Sequence, residues 1–255
     1  PIGNTTKSTI DFRLFNIEDD YYQTDEFTNK DTADFTTFDG GSISWEFVQN
    51  SLNRKQFASG GHFVQVKFRY VNGMERSTPG STSPQNIPQN KSHSWLNINA
   101  EFQSYIINKT AFHFGLHGKG VFNSQSLFSN YTATLLAMTS FSPIADAETY
   151  FLPEYRSPQH LGAGFNMIFT FNKNVDLRFD GYYYQPFVQL IRNDDGTPSY
   201  SKPFKGDLFI ASSSLIYHSI IGPIRATVNY FPKQTAPIAF QISYGWVLFN
   251  ERALR

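Results

Sequence analysis

The feature that most constrains this chain is an alternation of apolar and polar side chains with a period of two, repeated in segment after segment. Near the C-terminus Phe240, Ile242, Tyr244, Trp246 and Leu248 alternate with Gln241, Ser243, Gly245 and Val247. Successive side chains of a β-strand point to opposite faces, so this segment has one aromatic, apolar face and one face of mostly small or polar residues. In the stretch HFVQVKFRY, Val64, Val66, Phe68 and Tyr70 stand against Gln65, Lys67 and Arg69. Further on, Leu96, Ile98, Ala100 and Phe102 stand against Asn97, Asn99, Glu101 and Gln103. The pattern predicts about ten strands and no helix. They fall near residues 8–17, 42–51, 62–70, 96–103, 112–119, 163–171, 175–180, 206–219, 224–230 and 238–249, the segment at 206–219 being apolar on both faces.

Composition excludes several classes. Aromatic residues make up 17% of the 255 residues and charged residues only 16%, against about 25% charged in ordinary globular chains. That balance suits half-buried pleated strands. No run approaches the roughly 18 apolar residues of a spanning helix, and no cleavable signal segment is visible. The absence of cysteine rules out a disulfide scaffold and a thiolate zinc site. Twenty-one basic residues against 21 acidic ones give no net charge, which argues against nucleic acid as a partner.

Connection lengths then sort the architecture. The links after the fourth, sixth and eighth strands are tight turns at Asn108-Lys109, Asn172-Lys173-Asn174 and Ile221-Gly222-Pro223, and the link after the second is moderate. Those near 18–41, 73–92, 122–158 and 188–205 are long and rich in Ser, Thr, Asn, Gly, Pro and Asp, while the last, around Lys233-Gln234-Thr235, is short. Short turns at one end and long loops at the other describe an outer-membrane barrel, with the turns and both chain ends in the periplasm. A soluble β-sandwich, for example a secreted carbohydrate-binding domain, also shows alternation. Three features favour lipid: a hydrophilic second face, strands of about 9–13 residues, and aromatics gathered at strand ends as interfacial girdles (Tyr70, Tyr105, Phe187, Tyr217, Tyr230, Phe249). The expected fold is all-β, an antiparallel transmembrane β-barrel forming one domain over 1–255.

The stretch FNSQSLFSNYTATLLAMTSFSPIADAETYFLPEYRSPQHLGAGFNMIFTFNKNVDLRFDGYYYQPF, followed by IGPIRATVNYF and ISYGWVLFN, resembles the C-terminal barrel of Bacteroidetes-type patatin-like outer-membrane phospholipases. These belong to the superfamily of barrel-assembly insertases and two-partner secretion transporters. The resemblance is best over 120–255. It implies a barrel of about sixteen strands, of which this chain holds the C-terminal part, and a function in anchoring or exporting an acyl hydrolase domain outside this chain. An insertase-type or transport barrel is the alternative. The superfamily's long loop carries an Arg-containing tetrapeptide that folds back into the lumen. The nearest match here, Glu154-Tyr155-Arg156-Ser157, lacks the usual Gly and aromatic after the arginine. The resemblance also implies that the last strand, through Phe240, Ile242, Tyr244, Trp246, Leu248 and Phe249, is read by the barrel-assembly machinery during insertion, with outer-membrane lipid as the lasting partner.

The chain itself carries no catalytic motif. Patatin lipases need a G-x-S-x-G nucleophile elbow, which is missing. Asp39-Gly40-Gly41 matches their second motif but reads as a loop end before a strand. His113 and His117 share a strand face two steps of about 6.6 Å apart, too far to hold one metal alone, and no cofactor is expected. The lumenal residues of interest are Asp176, Arg178 and Asp180, a charge ladder on one strand face, with Arg156 folding inward toward Asp176 or Asp180. If the apolar faces meet lipid, Phe165→Arg or Phe169→Arg costs about 2–4 kcal/mol near the midplane, whereas Asn166→Arg on the opposite face is mild; equilibrium unfolding from lipid vesicles measures the difference.

Overall fold

The computed structural model describes residues 5–24 and 26–245. Ten long strands form one antiparallel sheet: β1 (Thr6–Tyr21), β2 (Asp34–Asn50), β3 (His62–Thr78), β4 (Gln89–Asn108), β5 (Phe112–Asn123), β6 (Gln159–Asn172) and β7 (Val175–Pro186) come first. A small hairpin of β8 (Leu190–Arg192) and β9 (Pro198–Tyr200) follows, then β10 (Leu208–Ser219), β11 (Gly222–Tyr230) and β12 (Ile238–Tyr244). Strand order in the sheet is the order in the chain, so each strand pairs with its sequence neighbours and the connections never cross. Among the described residues β1 pairs with β2 alone and β12 with β11 alone, which leaves two edges. Trp246, Leu248 and Phe249 lie outside the described residues.

The sheet is curled. Arg54, four residues beyond the end of β2, donates to the Asp176 carboxylate of β7 at 2.7 Å and lies 2.9 Å from His218 Nε2 of β10. Across a flat sheet those strands would stand about 24 and 29 Å from β2, while four extended residues reach only about 14 Å. Bending brings them within range of the arginine. The inner face so formed is covered by residues 51–61 from the short-turn end and by residues 124–158 from the long-loop end. At the long-loop end the connections hold one another: Gln23 N donates to Thr82 Oγ1, Gln85 Nε2 to the Ser129 carbonyl, Tyr131 N to the Gly196 carbonyl and Arg192 Nη2 to the Gln23 carbonyl.

Several strands run well past the segments that alternate. Residues 18–21, 34–41, 73–78 and 89–92, expected in loops, continue the ladder, with Phe35 opposite Thr78 and Ser77 opposite Gln89. Polar side chains stand on both faces there (Thr36, Thr37, Asp39; Glu75, Arg76, Ser77) and interrupt the apolar positions Phe35, Phe38 and Met74, so alternation no longer marks them. Backbone pairing needs no apolar face and carries on. Asp39-Gly40-Gly41 is therefore inside β2 rather than at a loop end. A Cβ on Gly40 would sit 2.4 Å from the Asn72 carbonyl of β3, and Asp39 accepts from Asn16 Nδ2 at 2.5 Å and Arg76 Nη1 at 2.7 Å. Tyr105 also departs from expectation. It shares the odd-numbered inner face of β4 with Trp95, Asn97 and Gln103, where it is buried and donates to the Ala58 carbonyl instead of joining an outer girdle, and the register shifts only beyond it. Tyr70, Phe187, Tyr217 and Tyr230 remain exposed.

The expectation of no helix fails within 124–158, which contains α1 (Tyr131–Ala137) and two 3₁₀ turns, Ala145–Glu148 and Pro153–Tyr155. Asn130 caps α1 by accepting from Ala133 N at 2.9 Å. Seven residues are too few for a helical period to show in the sequence. Nor is the inner face polar throughout. Phe38, Val71 and Trp95 of β2, β3 and β4 pack with Phe128, Ala133 and Ala137 of the loop. On the other flank Tyr182, Tyr184, Leu208 and Ile210 of β7 and β10 pack with Phe141, Ile144, Leu152 and Tyr155. At about 1.5–3 kcal/mol for each large apolar side chain removed from water, these two clusters hold the loop inside. β10 resolves likewise: Leu208 and Ile210 face this second cluster and Ile216 is buried on the same side, while Phe209, Leu215 and Tyr217 face out.

Gly162 of β6 is the seat of the loop's central aromatic, since a Cβ there would meet the Phe141 ring at 2.0 Å. Gly162→Val is expected to lift Phe141 and cost about 1–3 kcal/mol, visible as faster proteolysis within 124–158 and a lower unfolding temperature; unchanged protease resistance would contradict this packing.

Candidate functional site

The interior is where the chemistry-bearing side chains converge. From the short-turn end, residues 51–61 form a compact strap stitched to itself: Ser51 N donates to the His62 carbonyl, Asn53 N to the Gly60 carbonyl, and Ser59 N to Asn53 Oδ1. Gly61 closes it with φ +96°, where a Cβ would collide with the Ser51 carbonyl at 2.2 Å. Phe57 at the tip has φ 54°, a left-handed conformation that costs an aromatic residue roughly 1–3 kcal/mol and persists only where surroundings impose it. Here Arg225 of β11 lies over the Phe57 ring at 5.1 Å. The next residue, Ala58, accepts at its carbonyl from Arg178 Nη1 at 3.1 Å and from Tyr105.

Arg225 also joins the strap to the loop above it. Its Nη2 pairs with Asp146 Oδ1, and Asn229 Nδ2 donates to Asp146 Oδ2 at 2.8 Å. Both charged side chains are almost fully buried, at 4% and 3% exposed. A buried ion pair is costly to desolvate, and removing one partner strands the other, so this contact locks loop, strap and wall in one arrangement. Between strap and loop remains a cavity of about 360 Å³ lined by Phe57, Ser142, Arg178, Tyr182, Ser214 and Arg225 among others.

The anticipated charge ladder is present on the inner face of β7 but is divided between two partnerships. Arg178 Nε donates to both Asp180 oxygens at 2.8 and 2.9 Å. Asp176 instead takes Arg54, His218 at 2.7 Å and Thr170 Oγ1 at 2.7 Å. Arg156 is indeed inside, 6% exposed, yet it does not pair with Asp176 or Asp180. Its Nη1 donates to the carbonyls of Leu135, Leu136 and Met138 at 3.3, 3.3 and 3.2 Å, and its guanidinium lies over Phe151 at 5.0 Å. A cation there meets the orphan carbonyls and negative end of α1, an attraction created by a helix that the sequence did not announce. The adjoining Tyr155 is buried in the loop core, and burial pushes its phenol well above its ordinary value.

Asn166 overturns a second expectation. It is fully buried, donating to Asp180 Oδ1 at 2.5 Å and Tyr182 OH at 2.8 Å and accepting from Gln103 Nε2 at 3.0 Å. The inner face here is a packed hydrogen-bond network, so Asn166→Arg is disruptive, not mild. His113 and His117 stay separate, the first on Asn108 and the second on Glu101, and among the described residues no group of acidic or histidine side chains is placed to hold a metal. Phe240, Ile242 and Tyr244 stand exposed on the outer face of β12. Arg54, Asp146 and Arg225 escaped sequence reasoning; Arg225 was visible as the lone charge on the polar face of IRATVNY, but its partner is 79 residues away.

No protein-family model, curated protein or solved structure matches the chain.

Asp146→Ala is expected to leave Arg225 buried without its anion and to cost about 3–5 kcal/mol, read as a lowered unfolding temperature and cleavage within 124–158. Asp146→Leu combined with Arg225→Leu restores most of that loss; a double variant as unstable as the single one would contradict the pairing.

Proposed function

We propose that this chain is part of an outer-membrane β-barrel whose interior is closed, serving as the anchor or export barrel of a patatin-like acyl hydrolase domain outside this chain. The observation that carries the membrane reading is the outer face. From Ile10, Phe12 and Leu14 on β1 to Phe240, Ile242 and Tyr244 on β12, the outward positions of the apolar band hold apolar, aromatic or small side chains. No Asp, Glu, Lys, Arg or His stands among them, and Asn16, Asp39 and Arg76 mark its limit toward the long loops. A continuous apolar surface of this extent in water would be an association site; in lipid it is the expected wall.

The edges support membership of a larger ring. In hydrocarbon each unpaired backbone N–H or C=O costs several kcal/mol, so β1 and β12 call for partner strands, which on this reading come from the rest of the polypeptide. The filled interior favours an anchor over an open channel, since strap and loop occupy the inner face from both ends. The insertase-like alternative draws on the inward Arg156, but that residue caps the loop's own helix.

The native tryptophans test the membrane reading. Trp45 is 41% exposed on the outer face and Trp95 is 2% exposed inside. With Trp246→Phe in both, a protein keeping only Trp45 is expected to be strongly quenched by brominated acyl chains, and one keeping only Trp95 is not. Failure of acyl bromine to quench Trp45 would contradict the proposal.

A further inference from the structure

We propose that Ser126, His93 and Glu75 form a hydrolytic triad that cleaves carboxylic esters of membrane amphiphiles. The three side chains come from neighbouring elements at the long-loop end: Glu75 from β3, His93 from β4, and Ser126 from the loop three residues beyond β5. Ser126 Oγ lies 2.7 Å from His93 Nδ1, and His93 Nε2 lies 2.7 Å from Glu75 Oε2. Glu75 is fully buried, its side chain at 0% exposure, and that of His93 is at 3%, while Ser126 is exposed. The serine is thus the member open to a substrate.

Roles follow from donor and acceptor chemistry. Glu75 Oε1 accepts from Ser129 N at 2.8 Å, which leaves Oε2 to accept from His93 Nε2–H. With that nitrogen carrying the proton, Nδ1 presents its lone pair to the Ser126 hydroxyl, as a general base must. The imidazole is held by Phe128, tilted 30° against it at 4.6 Å, and by the edge of Phe38 at 6.2 Å.

The step balances with water alone. Ser126 Oγ adds to the ester carbonyl carbon as its proton passes to His93 Nδ1. The tetrahedral intermediate collapses, the C–O bond to the alcohol breaks, and the leaving alkoxide takes that proton. Water then adds to the acyl-serine, giving its proton to Nδ1, and the acid leaves as Ser126 recovers it. The choice of ester rests on the membrane reading: β5 leaves the apolar band at Phe122, and Ser126 follows within four residues, at most about 14 Å. His93 itself pairs with Gly73, one residue from the Asp39–Met74 level where the apolar band ends, so the serine stands near the rim, where lipid ester linkages meet water.

The test uses the full chain folded in detergent and then in phosphatidylcholine vesicles. A fluorophosphonate probe is expected to label Ser126, identified by peptide mass, and labelling is lost in Ser126→Ala. His93→Gln and Glu75→Gln slow it about 100-fold with near-ultraviolet circular dichroism unchanged, and Glu75→Gln lowers kcat for p-nitrophenyl butyrate more than it raises KM, as a positioning residue should. Fatty-acid release from the vesicles accompanies butyrate hydrolysis. An unlabelled Ser126 in the folded wild-type chain, or labelling indifferent to His93→Gln, overturns the triad, whatever the tryptophan quenching shows. Butyrate hydrolysis without vesicle cleavage overturns the lipid ester as substrate.

Discussion

Backbone pairing between neighbouring strands is the constraint on which the rest of the structure depends. Each strand leaves half of its N–H and C=O groups for either neighbour, and the chain meets this demand by laying strands down in order, with tight turns at one end and long connections at the other. The two-residue period of the ladder then decides every side chain's face. A register slip of one residue would turn Phe165 and Phe169 inward and Asn166 and Ile168 outward, so pairing and partition of polarity are one decision.

That partition puts unlike materials on the two sides. The outer face is uniform and apolar through its band, suited to a surrounding that asks only for apolar contact. The inner face is specific: Asp146 with Arg225, Arg178 with Asp180, and Asp176 with Arg54 and His218, each surrounded by further hydrogen bonds. Charges so placed add little net stability compared with apolar substitutes, but they tolerate few arrangements. The strap and the loop each fit one way, and Arg225, which touches both, fixes them relative to the wall.

The ten strands and their order were legible because alternation is a local signal that the ladder reads directly. Boundaries were not, since the ladder of β2, β3 and β4 outruns the apolar band into residues polar on both faces. The interior was half legible. Asp176, Arg178 and Asp180 sit two residues apart and so share a face, whatever else the chain does. Their partners arrive from Arg54, 122 residues before Asp176, and from the Ala58 carbonyl of the strap, while the short helix α1 draws Arg156 to its own carbonyls. Glu75, His93 and Ser126 are equally scattered, and only the pairing of β3 with β4 and the fold of the loop bring them together. Long-range side-chain meetings inside a curled sheet leave no periodic trace.

On the proposed reading the two faces of these strands meet lipid on one side and a closed protein interior on the other. The most direct measurement is paramagnetic accessibility along β7. With no cysteine in the chain, a spin label can be placed singly at each position from 175 to 183 in vesicles. The account predicts that labels at 175, 177, 179, 181 and 183 relax strongly with oxygen and weakly with a water-soluble nickel chelate, while those at even positions respond to neither. A strong response to the nickel chelate at the odd positions would contradict it.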